Sequence, residues 1–181
     1  MVQTKKTYTL LYCVLYVGCL LLDEMALEEG VSFQRDSPKV LGFVDLGQHT
    51  ADDSKEKRGN HALVLMYQPF KGKWFQTIGA FLSAGAVPGK ILEKIVVEAI
   101  LLLENEVYHV DTVTTDGATW NRTMWEMFGI STEKSCCQHP SDLTRSLWFA
   151  SDFPHLMKNL WTRIVDKKSL EVSVISISVK Q

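Results

Sequence analysis

The chain predicts an α/β fold, a mixed sheet flanked by helices, on three observations. Apolar segments with strand character come first along the chain, and strands then alternate with helical patterns. Its 181 residues are enough for one domain with a core of its own. A content of 46% hydrophobic and 22% charged residues is ordinary for a folded globular protein. We therefore expect a single domain.

The first predicted strand covers about residues 14–23 and ends at Asp23. The uncharged stretch before Asp23 follows two lysines, a pattern that also fits a signal peptide. This stretch is shorter than the roughly 20 residues that a membrane-spanning helix needs, and it has no small-residue cleavage site. Its Tyr, Val and Cys residues favour a buried strand. A signal or anchor and a leader foreign to the domain remain alternatives, so residues 1–13 are interpreted as an atypical apolar leader.

The middle of the chain predicts three more strands and one long helix. The strands cover residues 40–47, 61–67 and 73–82. Residues 48–60 are polar with balanced charge, which predicts a flexible surface loop. Residues 88–104 carry apolar side chains at three- and four-residue spacing, which predicts an amphipathic helix.

The last part of the chain alternates strands and helices. Strands are predicted at 108–115 and 147–150, helices at 118–128 and 154–165, and a loop at 131–141. Trp120, Trp125, Trp148 and Trp161 are predicted to be core residues.

The chain ends on an isolated strand pattern. Residues 172–179 alternate apolar residues and Ser, which is typical of a strand, yet the chain stops two residues later. A truncated or read-through end would have this form. We therefore interpret residues 166–181 as an atypical tail and expect the fold to be incomplete at its C-terminus.

Three acids, Asp23, Asp116 and Asp152, each follow a predicted strand. Ligand sites of open α/β sheets form at the carboxyl ends of strands, and Mg²⁺ prefers carboxylate oxygens. The alternatives are structural: Asp116-Gly117 is a good turn former, and Asp152 suits the N-cap of the last helix. From spacing alone the structural interpretation is favoured. Glu24 is expected to face away from Asp23, because successive side chains of a strand point to opposite faces.

Charge and cysteine pattern narrow the function classes. A formal net charge of −2 gives no whole-chain signature of nucleic-acid binding, so any such contact must be local. Four cysteines match no C-x-x-C zinc pair, and we expect no zinc. His155 and Lys158 lie three residues apart on the last predicted helix, where they either face a phosphate or belong to a solvated helix face.

Five phrases along the chain form a recognisable series. They are Leu22-Asp23-Glu24-Met25, Val40-Leu41-Gly42-Phe43-Val44-Asp45-Leu46-Gly47, His61-Ala62-Leu63-Val64, Thr115-Asp116-Gly117-Ala118-Thr119-Trp120-Asn121-Arg122 and Ser151-Asp152-Phe153-Pro154-His155-Leu156-Met157-Lys158-Asn159. In this order they resemble the ribonuclease-H-like domain of P-element-type DNA transposases, including the THAP-domain proteins derived from them. The resemblance spans about residues 20–165, and the domain is expected to cover residues 14–165.

This resemblance implies magnesium-dependent cleavage and transfer of DNA strands in the nucleus. Asp23 matches the first catalytic acid of the family and Asp116 the second, so both are implied Mg²⁺ ligands, while Asp152, His155 and Lys158 are possible site-lining residues. The third acid of the family comes from a helix beyond a large insertion domain associated with guanine nucleotide. We expect that domain to be absent here, and therefore expect no guanine nucleotide binding.

With two of three acids, the chain is expected to be inactive by itself. Mg²⁺ demands near-octahedral coordination, so a two-carboxylate site should hold it weakly. The competing hypothesis is a domesticated, non-enzymatic domain that interacts with DNA or protein, with self-association possible. A secreted or membrane-associated protein, suggested by the apolar N-terminal run, is the remaining alternative, although a membrane is not an expected partner.

Overall fold

A six-stranded mixed sheet organises the part of the chain that the structure, a computed structural model, describes, which is residues 16–33 and 40–167. The elements in chain order are β1 (Val17–Ala26), β2 (Ser32–Phe33), β3 (Val40–Leu41), β4 (His61–Pro69), β5 (Gln76–Ser83), α1 (Gly89–Asn105), β6 (His109–Thr115), α2 (Thr119–Met127), β7 (Cys136–Gln138), β8 (Ser146–Ser151) and α3 (Phe153–Lys167). The predicted α/β class is confirmed.

The order of strands across the sheet is β5-β4-β1-β6-β8-β7, with β2 and β3 forming a separate small hairpin. Strands β1, β6 and β8 are parallel neighbours at the centre. Strands β4, β5 and β7 run antiparallel to the strands that they pair with. The carboxyl ends of the three central strands therefore meet at one edge of the sheet.

One face of the sheet forms the core together with α1 and α2. The apolar residues of α1 recur every three or four positions, so one side of the helix is buried: Leu92, Ile95, Val96, Ala99, Ile100 and Leu103. They pack with the β-strand residues Leu20, Leu65 and Val113. A Cβ added at Gly89 would lie 2.9 Å from Thr123, so a residue without a side chain lets α2 approach the start of α1.

Three predicted segments differ from the structure. Only Val40–Leu41 of the predicted strand 40–47 is a strand, because Gly42 and Gly47 adopt positive φ angles of 111° and 62° that interrupt an extended chain. The predicted loop 131–141 contains β7, whose three residues are too few to show a pattern. Residues 48–60 hold two 3-10 helices, Gly47–His49 and Asp52–Ser54, rather than an unstructured loop.

The tryptophan prediction is half right. Trp120 and Trp125 are partly buried and pack on the core. Trp148 is 49% exposed and Trp161 is 69% exposed, so the prediction of core positions was wrong for both. Trp148 points to the face of the sheet opposite the core, because its neighbours Leu147 and Phe149 are buried.

Some predictions fall on residues that the structure does not describe. The leader 1–13, the strand pattern 172–179 and most of the tail 166–181 lie outside the described ranges. Among the residues that are described, no helix combines the length and the apolar character required to cross a bilayer.

Candidate functional site at the carboxyl ends of the central strands

The three strand-end acids lie at one level of the sheet. Leu21 of β1 pairs with Thr114 of β6, and Thr114 pairs with Ala150 of β8. Two residues further along each strand are Asp23, Asp116 and Asp152, which the period of two places on the same face as those pairs. The Asp152 amide donates to the Thr115 carbonyl at 2.7 Å, which extends the ladder between β6 and β8 to this level.

These acids border a small cavity. Its volume is about 160 Å³, and it is lined by Leu21, Leu22, Asp23, Met66, Thr114, Asp116, Asp152 and His155. Four of the five site residues considered in the sequence are thus brought together around one space. Lys158 is exposed one turn further along α3 and does not line the cavity.

Asp116 is held by the turn that follows β6. Its Oδ1 accepts hydrogen bonds from the Ala118 amide at 2.9 Å and from the Asn121 side-chain amide at 2.6 Å. Gly117 between them has a φ of 76°, a conformation that glycine adopts without strain. The turn-forming role is therefore real, but it uses one carboxylate oxygen. Within the described residues the other oxygen has no hydrogen bond.

Asn121 was not singled out as a site residue in the sequence. It is 6% exposed and lies on the first turn of α2, where its side chain orients Asp116. The signal was available, because the helix predicted at 118–128 begins directly after Asp116-Gly117 and places Asn121 on its first turn.

Asp152 and His155 form a pair at the start of α3. Asp152 immediately precedes the helix, and its Oδ2 lies 2.6 Å from His155 Nδ1. When Nδ1 donates this bond, Nε2 is left as an acceptor. The N-cap position predicted for Asp152 is consistent with its place before the helix, although its carboxylate bonds a side chain on the first turn.

Asp23 and Glu24 lie on opposite faces of β1, as strand alternation predicts. Asp23 is exposed at the cavity, while Glu24 Oε1 accepts from the Val87 amide at 3.1 Å on the core side. Glu24 Oε2 is buried without a hydrogen-bond partner. Burial raises the pKa of Glu24, the Val87 hydrogen bond opposes this rise, and the nearby charges of Asp116 and Asp23 add to it.

The site carries uncompensated negative charge. Among the described residues no lysine or arginine forms an ion pair with Asp23, Asp116 or Asp152, and His155 is the one basic group in contact with any of them. No three His, Cys, Asp or Glu side chains in this part of the chain are grouped closely enough to enclose a metal ion. The arrangement can therefore offer a divalent cation a few hard oxygen ligands but not a closed cage.

The carboxylates nevertheless suit magnesium. Asp23 and Asp116 come from adjacent parallel strands, which lie about 4.8 Å apart. Their oxygens are the hard donors that Mg²⁺ prefers, and Mg²⁺ commonly keeps several waters beside one or two carboxylates. The free oxygen of Asp116 and the unpaired carboxylate of Asp23 fit such a partly hydrated ion.

Comparisons with known proteins agree on the fold. Residues 5–129 match the family described as TNP-like, RNase H N-terminal domain. The structure is similar to a chain of the Drosophila P element transposase strand transfer complex, with a TM-score of 0.67 and 21% sequence identity over 86% of this chain. The chain spans only 30% of the length of that solved chain. No curated protein matches.

Proposed function

We propose, because the chain belongs to the family of TNP-like RNase H N-terminal domains, that Asp23 and Asp116 bind Mg²⁺ for cleavage and transfer of DNA strands. The observation that carries the proposal is the register that places both acids on one face, at the ends of adjacent parallel strands. The structural likeness to a P element transposase supports a DNA substrate.

Each residue has a definable part in this reaction. When bound, Mg²⁺ would polarise a phosphodiester and activate a water or a 3′-hydroxyl. Asp23 and Asp116 would hold it, and Asn121 would orient the Asp116 carboxylate through its hydrogen bond to Oδ1. Asp152 holds His155 in a defined orientation at the rim of the cavity.

Two carboxylates limit what this site achieves by itself. Two protein oxygens leave most of an octahedron to water and phosphate, so we expect weak Mg²⁺ binding and slow chemistry until a further oxygen ligand is supplied. Removing either acid should then abolish the weak binding. This makes the cation, rather than turnover, the first quantity to measure.

The test compares Asp23→Asn and Asp116→Asn with Glu133→Gln, which removes one negative charge from the exposed loop after α2. Mn²⁺ should broaden the amide NMR signals of residues 114–118 in the wild type and in the control, and Mg²⁺ should compete. Both Asp variants should lose this effect, and any Mg²⁺-dependent nicking of supercoiled DNA should fall at least roughly 100-fold. Broadening that persists in both variants would refute the cation site.

A non-enzymatic domain that interacts with DNA or protein is the second candidate. It is favoured by the finding that the described residues hold no closed three-ligand group. In that case DNA binding would be the same with and without Mg²⁺ and would survive Asp116→Asn. Nuclear localisation is part of the proposal, because a DNA substrate lies in the nucleus.

A further inference from the structure

Helix α3 is amphipathic, with an apolar stripe on one side and a polar stripe on the other. From Phe153 to Val165, the apolar residues fall at spacings of three and four, and the polar residues occupy the other side. The apolar stripe is Phe153, Leu156, Met157, Leu160, Trp161, Ile164 and Val165. The polar stripe is His155, Lys158, Asn159, Thr162 and Arg163.

The polar stripe offers positive charge and hydrogen-bond donors on Lys158, Arg163 and Asn159, and residues 153–165 contain no carboxylate. His155 Nδ1 is engaged with Asp152, and the Thr162 hydroxyl donates to the Lys158 carbonyl at 3.0 Å. Lys158, Asn159, Thr162 and Arg163 are exposed. None of the ion pairs within the described residues involves Lys158 or Arg163, so these charges are not used to hold the fold together.

The stripe begins at the acidic cavity. His155 lines the cavity together with Asp23, Asp116 and Asp152, and the stripe continues from His155 to Arg163. Eight residues of helix at 1.5 Å each give about 12 Å, which is the rise of roughly three nucleotides of one strand. A donor-rich, cationic surface thus leads directly away from the point where a phosphodiester would be cleaved.

We infer that this polar stripe of α3 binds the phosphate backbone of the DNA strand that leaves the cavity. The inference rests on the proposed function for the substrate, and adds the surface that carries the flanking nucleotides. Charge complementarity supports it, because the cavity is acidic and would repel a polyanion unless cations are placed beside it. The contact is with phosphates and not with bases, so it positions the strand without reading its sequence.

The first experiment measures DNA affinity by fluorescence anisotropy, with a labelled oligonucleotide and Ca²⁺ in place of Mg²⁺. Lys158→Gln combined with Arg163→Gln should weaken binding roughly tenfold and reduce the slope of log affinity against log salt by about 1.4 to 1.8. The matched control is Lys71→Gln combined with Lys73→Gln. Both control lysines are exposed in the loop after β4, at the opposite end of β1 from Asp23.

Equal losses of DNA affinity in the two double variants would overturn the inference, because the effect would then come from the net charge of the protein and not from α3. Unchanged affinity in the α3 double variant would also overturn it, and would leave an acidic protein as the partner of the stripe. Crosslinking gives a second test: a photoreactive benzoylphenylalanine placed at Thr162 should crosslink DNA, and one placed at Leu160 on the apolar stripe should not.

The outcomes separate this inference from the proposed function. Affinity that depends on α3 without any Asp23-dependent cation binding would retain the inference and refute the cation site. Cation binding that depends on Asp23, together with normal DNA affinity in the α3 variants, would retain the cation site and refute the inference.

Discussion

The two ends of the central parallel strands both carry clustered acids, but only one end neutralises them. At the amino end, Glu104 and Asp111 surround Arg145, whose guanidinium lies 2.9 Å from Glu104 and 2.5 Å from Asp111. At the carboxyl end, Asp23 and Asp116 have no cationic partner among the described residues. The paired acids at the amino end hold the fold together, whereas the charge of Asp23 and Asp116 is left without a cationic partner, as the proposed Mg²⁺ site requires.

The amino-end cluster is a buried network. Glu104 also accepts from His109 Nδ1 at 2.8 Å and from the Val110 amide at 2.9 Å. His139, fully buried, lies 3.0 Å from the Val110 carbonyl and accepts from the Ser141 amide. Burial by itself would raise the pKa of Glu104, but the hydrogen bonds from Arg145 and His109 bring it below its usual value. The network ties the end of α1 to β6 and β8.

The largest expected effect comes from removing the cation of the paired end. Arg145→Met should lower the free energy of unfolding by roughly 2–4 kcal/mol, because Glu104 is left buried without its main partner. Urea denaturation monitored by tryptophan fluorescence measures the change. Arg145→Lys should lose less stability than Arg145→Met, since lysine keeps the positive charge but cannot make the same set of guanidinium hydrogen bonds.

Cation binding provides the contrast for Arg145→Met. Below its melting temperature, the variant should show the same Mn²⁺ broadening of residues 114–118 as the wild type. A variant that kept full stability, or that lost the broadening while folded, would remove the distinction between the two ends.

Sequence reasoning found the unpaired end and missed the paired one, for a physical reason. Asp23, Asp116 and Asp152 each follow an apolar strand, and parallel strands bring their carboxyl ends together, so the sequence could group these acids. Spacing alone still favoured turn and cap roles for them, and the family resemblance was needed to predict a site. Glu104 and Arg145 are 41 residues apart, and the periodicity of the helix that holds Glu104 does not show what its side chain will contact, so their pairing depends on the packing of α1 against the sheet. Pairing across the fold leaves no local signal.

The limits of local sequence patterns also explain why the strand 40–47 and two tryptophans were predicted wrongly. The apolar run 40–47 was predicted as a strand from composition, yet backbone turns at Gly42 and Gly47 override composition. Trp148 and Trp161 were predicted to be core residues from their residue type, which does not show which neighbours would cover them. The fold class could be predicted because it depends on the order of elements, which periodicity shows.

Acidification should weaken the paired end in two stages. Burial lowers the pKa of His139 from its ordinary 6.5, and the charge of Arg145 lowers it further, against opposing contributions from Glu104, Asp111 and Val110. The unfolded chain therefore binds a proton first, and stability is lost as the pH falls below 6.5. Glu104, whose pKa is depressed in the folded chain, adds a second loss as the pH falls below 4.5.

Urea denaturation between neutral and acidic pH measures this profile. His139→Gln should flatten the loss of stability below pH 6.5 and leave the loss below pH 4.5. The variant should be less stable than the wild type at every pH, because its buried site is altered. If His139→Gln lost the same amount of stability below pH 6.5 as the wild type, that loss would come from a group other than His139.

The smallest expected effect, at the unpaired end, has the opposite sign. Asp23→Asn should raise the free energy of unfolding by roughly a few tenths of a kcal/mol without divalent cations, because one of three neighbouring carboxylates, Asp23, Glu24 and Asp116, loses its charge. Salt should shrink this gain by screening. Mg²⁺ should reverse the order of the two proteins, since at ten times its dissociation constant a ligand stabilises the wild type by about 1.4 kcal/mol and leaves the variant unchanged. If Asp23→Asn were instead destabilising in the absence of cations, the Asp23 carboxylate would serve the fold as Glu104 does, and the two ends of the sheet would not differ in kind.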